Sequence, residues 1–373
     1  MDNRYTEVTK DLQIIEDLFC ETEEDYEKLF RQIDLSKEEF ENIKSGQVEA
    51  DKIQLENIYN FAYNHNLYLN EITWLDSEDE YKSGNISVNS HGAHTSIQGE
   101  IKLDNFAANN DFSFGFYLGE DISQAGMWVA NDVNSSLYVF TFDKTGLQEA
   151  RFNVSIDWML AILLCRDRLD EKYINNPRIQ EIKSRIDSCD YVYAPISDNN
   201  LFEVIDAFAA GEITDLQCLY AISATHLGYQ VVIKTEKALQ NIDMKKHLYF
   251  CSVEKSLYNK ESDIESNTAM NKALIAKKRY SNVGKYIDEL LSDTMNESIE
   301  QSSQVQQSIS NGIEAREYKG FALLKWPNQR DVVIIDPITN AWCGMYKSMK
   351  EAKGLIDGTM PQLGSLLPPG ENR

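Results

Sequence analysis

Two hydrophobic periods divide this chain, and their order limits its fold more than any other feature. Through residue 76 the apolar positions keep helical spacing. Leu12, Ile15, Leu18 and Phe19 come first, followed by Leu29, Ile33 and Leu35, then Phe40 and Ile43, and last Leu55, Ile58, Tyr59 and Phe61. From there on, strand-like runs appear in "YKSGNISVNSHG", "SLYVFTFD" (136–143) and "YQVVIKT" (229–235). Between them "SQAGMWVAN", "VSIDWMLAILLCR", "NNLFEVIDAFAAG" and "TDLQCLYAISATH" carry helical patterns. Strands and helices do not alternate regularly. That order predicts an α+β core rather than a doubly wound parallel sheet.

Punctuation residues set the expected boundaries. Ser36 followed by Glu39 is a capping-box pair, and Gly46 predicts a turn before the next helix. "SEDEYKSGN" (77–85) reads as an acidic linker between an all-α N-terminal domain, 1–76, and an α+β domain, 84–258. A helix-prone and Gln/Ser-rich connector is expected over 263–312, with a basic cluster at Lys277, Lys278 and Arg279. Three strand signals, "GFALLKW", "DVVIIDP" and "AWCGMY", followed by "SMKEAKGLIDG", predict a small βββα unit over 313–360.

Charge narrows the function classes. The formal net charge is -24, and the first 80 residues hold 22 acidic against 7 basic side chains. Such a surface repels phosphate and argues against non-specific coating of nucleic acid. "LSKEEFENIKSGQVEADKIQLENIYNFA" is similar to the helix-turn-helix domains of bacterial regulators. Glu38, Glu39 and Glu41, however, stand where base-reading residues would be needed. A helical module for partner or intramolecular contacts is therefore expected, with DNA binding as the alternative.

Six scattered cysteines without a C-x-x-C pair suit reduced thiols. "MDNRYTEVTKDLQ" lacks the regions of a signal peptide, and no apolar run has spanning length, so a cytoplasmic location is expected. His91 and His94 have ligand-like spacing but no second Cys/His cluster nearby, so no metal is expected.

No phosphate-binding loop, dinucleotide fingerprint, HExxH or nucleophile elbow occurs. What remains is an ordered set of segments: "VNSHGAHTSIQGEI" (88–101), "NNDFSFGFYLGEDISQAGMWV" (109–129) and "LGYQVVIKTEKAL" (227–239). Taken alone, the aromatic middle segment is either a packed strand edge or a wall for a flat ring.

In order and spacing these segments resemble a bacterial family of ADP-ribosyltransferase-like domains. Its pattern is a His-Gly strand, a D-F-G-x-G-F-Y-L segment running into a Gln-Ala-x-x-Trp helix, and a late G-x-Q-x-V-x-K-T-E strand. "DWMLAILLCR" and "DYVYAPISDNNLFEVIDAFAAGEITD" add two further matches, with Cys165 replacing an asparagine and Ser113 replacing a glycine. The resemblance implies a split mixed β-sheet core with helices, and NAD as co-substrate. It implies a catalytic set of Gln230, Tyr117 and His91, in which His91 meets a ribose hydroxyl of the adenosine half. Gly92 would admit the dinucleotide backbone, Tyr117 would stack on nicotinamide with Phe112, Phe114 or Phe116 closing the pocket, and Gln230 would hold the nicotinamide ribose.

Glutamine brings no negative charge to a cationic sugar. Either an acid elsewhere supplies it, with Glu236 and Asp111 as candidates, or the acceptor is already nucleophilic. The implied function is a mono-ADP-ribosyltransferase of toxin or phage-defence type, acting on a protein or nucleic acid and restrained by a small antitoxin-like partner. The alternatives are a non-catalytic nucleotide-sensing DNA-binding regulator and an NAD glycohydrolase on the same fold.

Overall fold

The structure is a computed structural model. It describes residues 5–103, 110–197, 199–223, 228–279 and 284–292, with 314–318, 321–325, 332–335, 342–346, 350 and 353. The chain is mixed α+β and divides into two compact units. One comprises Met1–Phe106, Gly115–Gln148 and Gln230–Ile264, and the other Ala107–Phe114, Glu149–Tyr229 and Glu265–Arg373.

Five helices open the first unit: α1 (Val8–Phe19), α2 (Glu23–Ile33), α3 (Lys37–Lys44), α4 (Lys52–Asn64) and α5 (Leu69–Tyr81). Capping boxes start three of them, Thr22 with Asp25, Ser36 with Glu39 and Asp51 with Gln54. Each satisfies backbone donors that the first helical turn leaves unpaired. The turn at Gly46 has φ +72°, a conformation that glycine adopts without strain.

The apolar stripes close on one core of Leu12, Ile15, Leu29, Ile33, Phe40, Ile43, Leu55 and Ile58. Leu18 departs from expectation and is 62% exposed. So does the linker: α5 runs to Tyr81, because Thr73, Trp74 and Ser77 are buried on one face while Asp79 and Glu80 point to solvent. An acidic run there is the wet side of a helix.

A mixed seven-stranded sheet follows. Its strands are β1 (Ile86–Ala93), β2 (Phe116–Gly119), β3 (Ser136–Asp143), β4 (Glu149–Arg151), β5 (Tyr191–Pro195), β6 (Tyr229–Ile233) and β7 (Ile242–Leu248). In the first unit the order is β6-β2-β1-β3-β7, with every neighbour antiparallel. β1 and β3 pair along their whole length, from Ile86↔Asp143 to Ala93↔Ser136. β1 and β2 share one registered pair, Ser90↔Gly119. The edge strand β7 is covered by the chain ahead of α1, where the Thr6 amide donates to the His247 carbonyl at 3.0 Å. Covering an edge in this way blocks further strand pairing.

Helix α6 (Ile122–Val129) lies on the sheet over Val88, Leu137 and Val139, and Trp74 of α5 joins that same core. The helix that leaves β7, α12 (Ser252–Arg279), is capped from α4. Glu56 accepts from the Ser252 amide at 3.0 Å, and the Asn60 side-chain oxygen accepts from the Val253 amide at 3.1 Å. Glu254 is 1% exposed and accepts from Asn70 at 2.8 Å, and burial pushes its carboxyl well above the usual range. The helical module and the sheet thus share a polar as well as an apolar seam.

The second unit holds the parallel pair β4–β5 and helices α7 (Ile156–Cys165), α8 (Pro177–Ser188), α9 (Asn199–Ala209), α10 (Asp215–Ser223) and α13 (Ile287–Ser292). α7 is apolar and buried except at Asp157 and its last two residues, and its Trp158 donates to the Pro195 carbonyl at 3.2 Å. The C-terminal sheet has four strands rather than three: β8 (Glu314–Tyr318), β9 (Phe321–Lys325), β10 (Val332–Ile335) and β11 (Trp342–Tyr346), in the order β11-β10-β9-β8. "EAREY" is too polar to advertise a strand. The expected terminal helix, apart from residues 350 and 353, and the Gln/Ser-rich stretch 296–312 lie outside the described residues. No helix among the described residues is long and apolar enough to cross a membrane.

Candidate functional site

The aromatic segment divides at Gly115. Ahead of it, Phe112 is fully buried and packs on Phe152 with ring centroids 5.6 Å apart. Asp111 is ion-paired to Arg166 at 2.5 Å and accepts from the Ser197 amide at 2.7 Å. Ser113 has φ +61°, the left-handed region, and its amide donates to the Asn110 carbonyl at 2.9 Å. Glycine is the residue that best tolerates this conformation, so Ser113 holds a backbone position that glycine would occupy with less strain. Gly115 itself has no room for a side chain, since a Cβ would lie 2.6 Å from a Val232 methyl and 2.8 Å from the Ile233 carbonyl.

Beyond Gly115 the segment becomes β2, and strand alternation sorts its residues. Phe116 and Leu118, each 1% exposed, face one side of the sheet. Tyr117 and Gly119 face the other, in register with Val232 and Gln230 of β6. Tyr117 and Gln230 therefore share a face, and Gln230 is 6% exposed.

His91 belongs to the Phe116 side. Its ring lies 4.4 Å from that of Phe116, and its Nδ1 is 2.7 Å from the Tyr117 carbonyl oxygen. A carbonyl only accepts, so Nδ1 carries the hydrogen and Nε2 the lone pair. Burial lowers the His91 pKa to about 4, which keeps the ring neutral near pH 7. The imidazole reaches Tyr117 where β1 and β2 part, just past their one registered pair.

Gly92 is occupied differently from expectation. A Cβ there would collide with the Ala125 carbonyl and lie 3.0 Å from a Val129 methyl. The close approach that this glycine permits is that of α6.

Two residues of the Tyr117–Gln230 face escaped the sequence reading. A Cβ on Gly119 would sit 3.0 Å from Ser90 Oγ and 3.2 Å from Gln124 Oε1, so both polar atoms crowd onto Gly119. Ser90 Oγ donates to the Asp121 carbonyl at 2.5 Å, which uses its one hydrogen. Gln124 Oε1 is buried and accepts from no donor among the described residues. Such an orphaned acceptor costs about 1–3 kcal/mol. Gln124 stands in the Gln-Ala-x-x-Trp run, which was the only signal the sequence offered for it.

The remaining candidates are not drawn in. Glu236 is exposed and begins the short helix α11 (Glu236–Leu239), beyond the end of β6 opposite to Gln230. About 10 Å of strand separates the two ends. Asp111 and Phe112 belong to the second unit. Phe114 is 54% exposed. His94 pairs with Asp132 at 2.5 Å, and no group of three or more His, Cys, Asp or Glu among the described residues could hold a metal ion.

Residues 90–244 match a family described as a protein of unknown function (DUF3990). The match runs from the His91 strand through the aromatic segment and past Gln230. No curated protein and no solved structure matches the chain significantly.

Proposed function

We propose that the chain is an NAD-dependent mono-ADP-ribosyltransferase. The observation that carries this reading is the convergence of Tyr117, Gly119 and Gln230 on one face, beside the place where β1 and β2 part. An aromatic ring on the same face as the buried Gln230 amide suits a flat nicotinamide and its ribose. His91 Nε2, on the far side of that parting, suits a ribose hydroxyl of the adenosine half.

In this reading the bond between nicotinamide and ribose C1′ breaks, its electron pair leaves with nicotinamide, and C1′ gains oxocarbenium character. An acceptor lone pair then bonds to C1′, and the acceptor's proton passes to solvent. Tyr117 stacks on the leaving ring, and Gln230 holds a ribose hydroxyl so that C1′ faces the acceptor. Asp111 is committed to Arg166 and the Ser197 amide, and Glu236 lies beyond the wrong end of β6. The acceptor, a protein side chain or a nucleic-acid base, therefore supplies its own nucleophilicity. An effector of toxin or phage-defence type, restrained by a small partner protein, fits this chemistry.

Incubation of the purified chain with labelled NAD and cell lysate tests the reading. Label is expected in a protein or nucleic-acid fraction, with at least about a hundredfold loss in Tyr117→Ala or Gln230→Ala. Absence of label from every fraction would sink it, and label in free ADP-ribose alone would make the chain a glycohydrolase.

A further inference from the structure

We infer that Glu254 is a proton-operated fastening between α12 and the helical module. As the neutral acid it holds the start of α12 against α4 and α5, and release of its proton to solvent loosens that hold. The fastening does not depend on the catalytic activity of the chain.

Hydrogens are short around this carboxyl. Glu254 of α12 and Glu71 of α5 meet at Tyr63 of α4. The Tyr63 hydroxyl donates to one Glu71 oxygen at 2.9 Å and the Tyr258 hydroxyl to the other at 3.0 Å. Asn70 has two side-chain hydrogens, and one of them meets the Tyr249 carbonyl at 2.9 Å. The other is left for both Glu254 oxygens, which lie 2.8 and 3.0 Å from the Asn70 nitrogen. Four carboxyl oxygens therefore divide three hydrogens. Glu71 is half-buried and can turn to water, but Glu254 is enclosed. A proton on Glu254 is the missing hydrogen, and the Tyr63 oxygen lies within hydrogen-bonding reach to accept it.

Charge points the same way. Glu71 of α5, Tyr59 and Tyr63 of α4, Cys251, and Tyr258 of α12 surround Glu254, and none of them brings a positive charge. The nearby cation, Lys255, gives its ammonium to the Asp132 and Val133 carbonyls, both at 2.9 Å. Burial and the Glu71 charge together hold the Glu254 pKa well above the usual carboxyl range. The unfolded chain binds this proton less tightly, so the stabilisation is complete below about pH 4 and is lost as pH rises toward the raised value. Tyr258, one turn further along α12, packs against Gly126, so the fastening reaches α6 as well.

Cys251, just ahead of α12, is fully buried and becomes reactive when that start lifts. Iodoacetamide labelling of Cys251, located by peptide mass spectrometry, compares wild type with Glu254→Gln in the full chain. Glutamine has the shape of the neutral acid and keeps its hydrogens at every pH. Dividing the wild-type rate by the variant rate cancels the reactivity of the thiol itself. That ratio should rise at least about tenfold between pH 6 and pH 8. A ratio that does not change with pH would overturn the inference. Should Glu254→Gln fail to fold, infrared spectroscopy of Asp11→Asn at about pH 7.5 decides. Asp11 is then absent and Asp215, whose pKa burial raises to about 6, is ionised, which leaves Glu254 as the neutral carboxyl among the described residues. A protonated-carboxyl band is expected, and its absence would overturn the inference.

Discussion

The helical module and the sheet face each bury an oxygen that no donor among the described residues reaches, and only one of the two can titrate. In the module it is Asp11 Oδ1, on a side chain 1% exposed whose other oxygen accepts from Tyr59 at 2.5 Å. On the sheet face it is Gln124 Oε1. Burial raises the Asp11 pKa to about 7, against the pull of Tyr59, Lys10 and Lys246 and with the help of Glu7. A carboxyl can take up a proton and shed its charge, whereas an amide cannot titrate. The module can therefore shed the charge on its buried oxygen by taking up a proton, while the sheet face has no such means. The same local fault depends on pH in one region and is fixed in the other.

The comparison presumes that both regions belong to one cooperative core, and Trp74→Ala tests that most severely. Trp74 sits on α5 yet packs with Val88, Ala125 and Val139. Its loss should cost about 3–5 kcal/mol in urea unfolding, with α1–α5 and the sheet melting together. Two separate transitions in wild type would show the regions to be independent.

Next in size is Asp11→Asn. The folded chain holds the Asp11 proton more tightly than the unfolded one, so its stabilisation is complete below about pH 4 and is lost as pH rises through about 7. The asparagine variant should be more stable than wild type at pH 8.5, by on the order of 2–4 kcal/mol, and the gain should vanish near pH 4. A difference independent of pH would mean that Asp11 does not titrate there.

Gln124→Glu would convert the second region into a copy of the first. The new carboxyl should be as stable as wild type near pH 5 and about 1–3 kcal/mol less stable at pH 8.5, read by thermal unfolding at both values. The smallest expected effect is that of Ser36→Ala, about 1 kcal/mol, from loss of the α3 capping box. It should leave both buried oxygens, and the pH dependence, as they were.

Local chemistry made much of the fold legible. The run "SLYVFTFD" coincides with β3, the pair Ser36 and Glu39 with a capping box, and the apolar run at Trp158 with a largely buried helix. What stayed hidden depends on partners far away in sequence. The run at 77–81 looks like a linker until Trp74 and Ser77 find their core, and Leu18 looks buried until α1 is rotated into place.

The candidate site follows the same rule. Tyr117 and Gln230 could be named from their segments, but their shared face is fixed by the pairing of Gly119 with Gln230. That His91 belongs to the opposite side follows from its register with Tyr138 and its contact with Phe116. Gln124 could be weighed only once α6 was seen lying on Gly92.

The contact at Gly126 has a consequence for how this protein can diversify. A Cβ on Gly126 would lie 2.6 Å from the Tyr258 ring, and the Tyr258 hydroxyl donates at 3.0 Å to Glu71 of α5. Helix α6, α12 and the inner side of α5 thus form a single fitted joint. Residues at that joint can change only together, while the outward acids of α2 and α3 that take no part in a capping box are free to drift. A lineage of such proteins is expected to vary the outer surface of its helical module rapidly while inheriting the joint nearly unaltered. Swapping the whole module between relatives should fail unless Tyr258 and Gly126 travel with it.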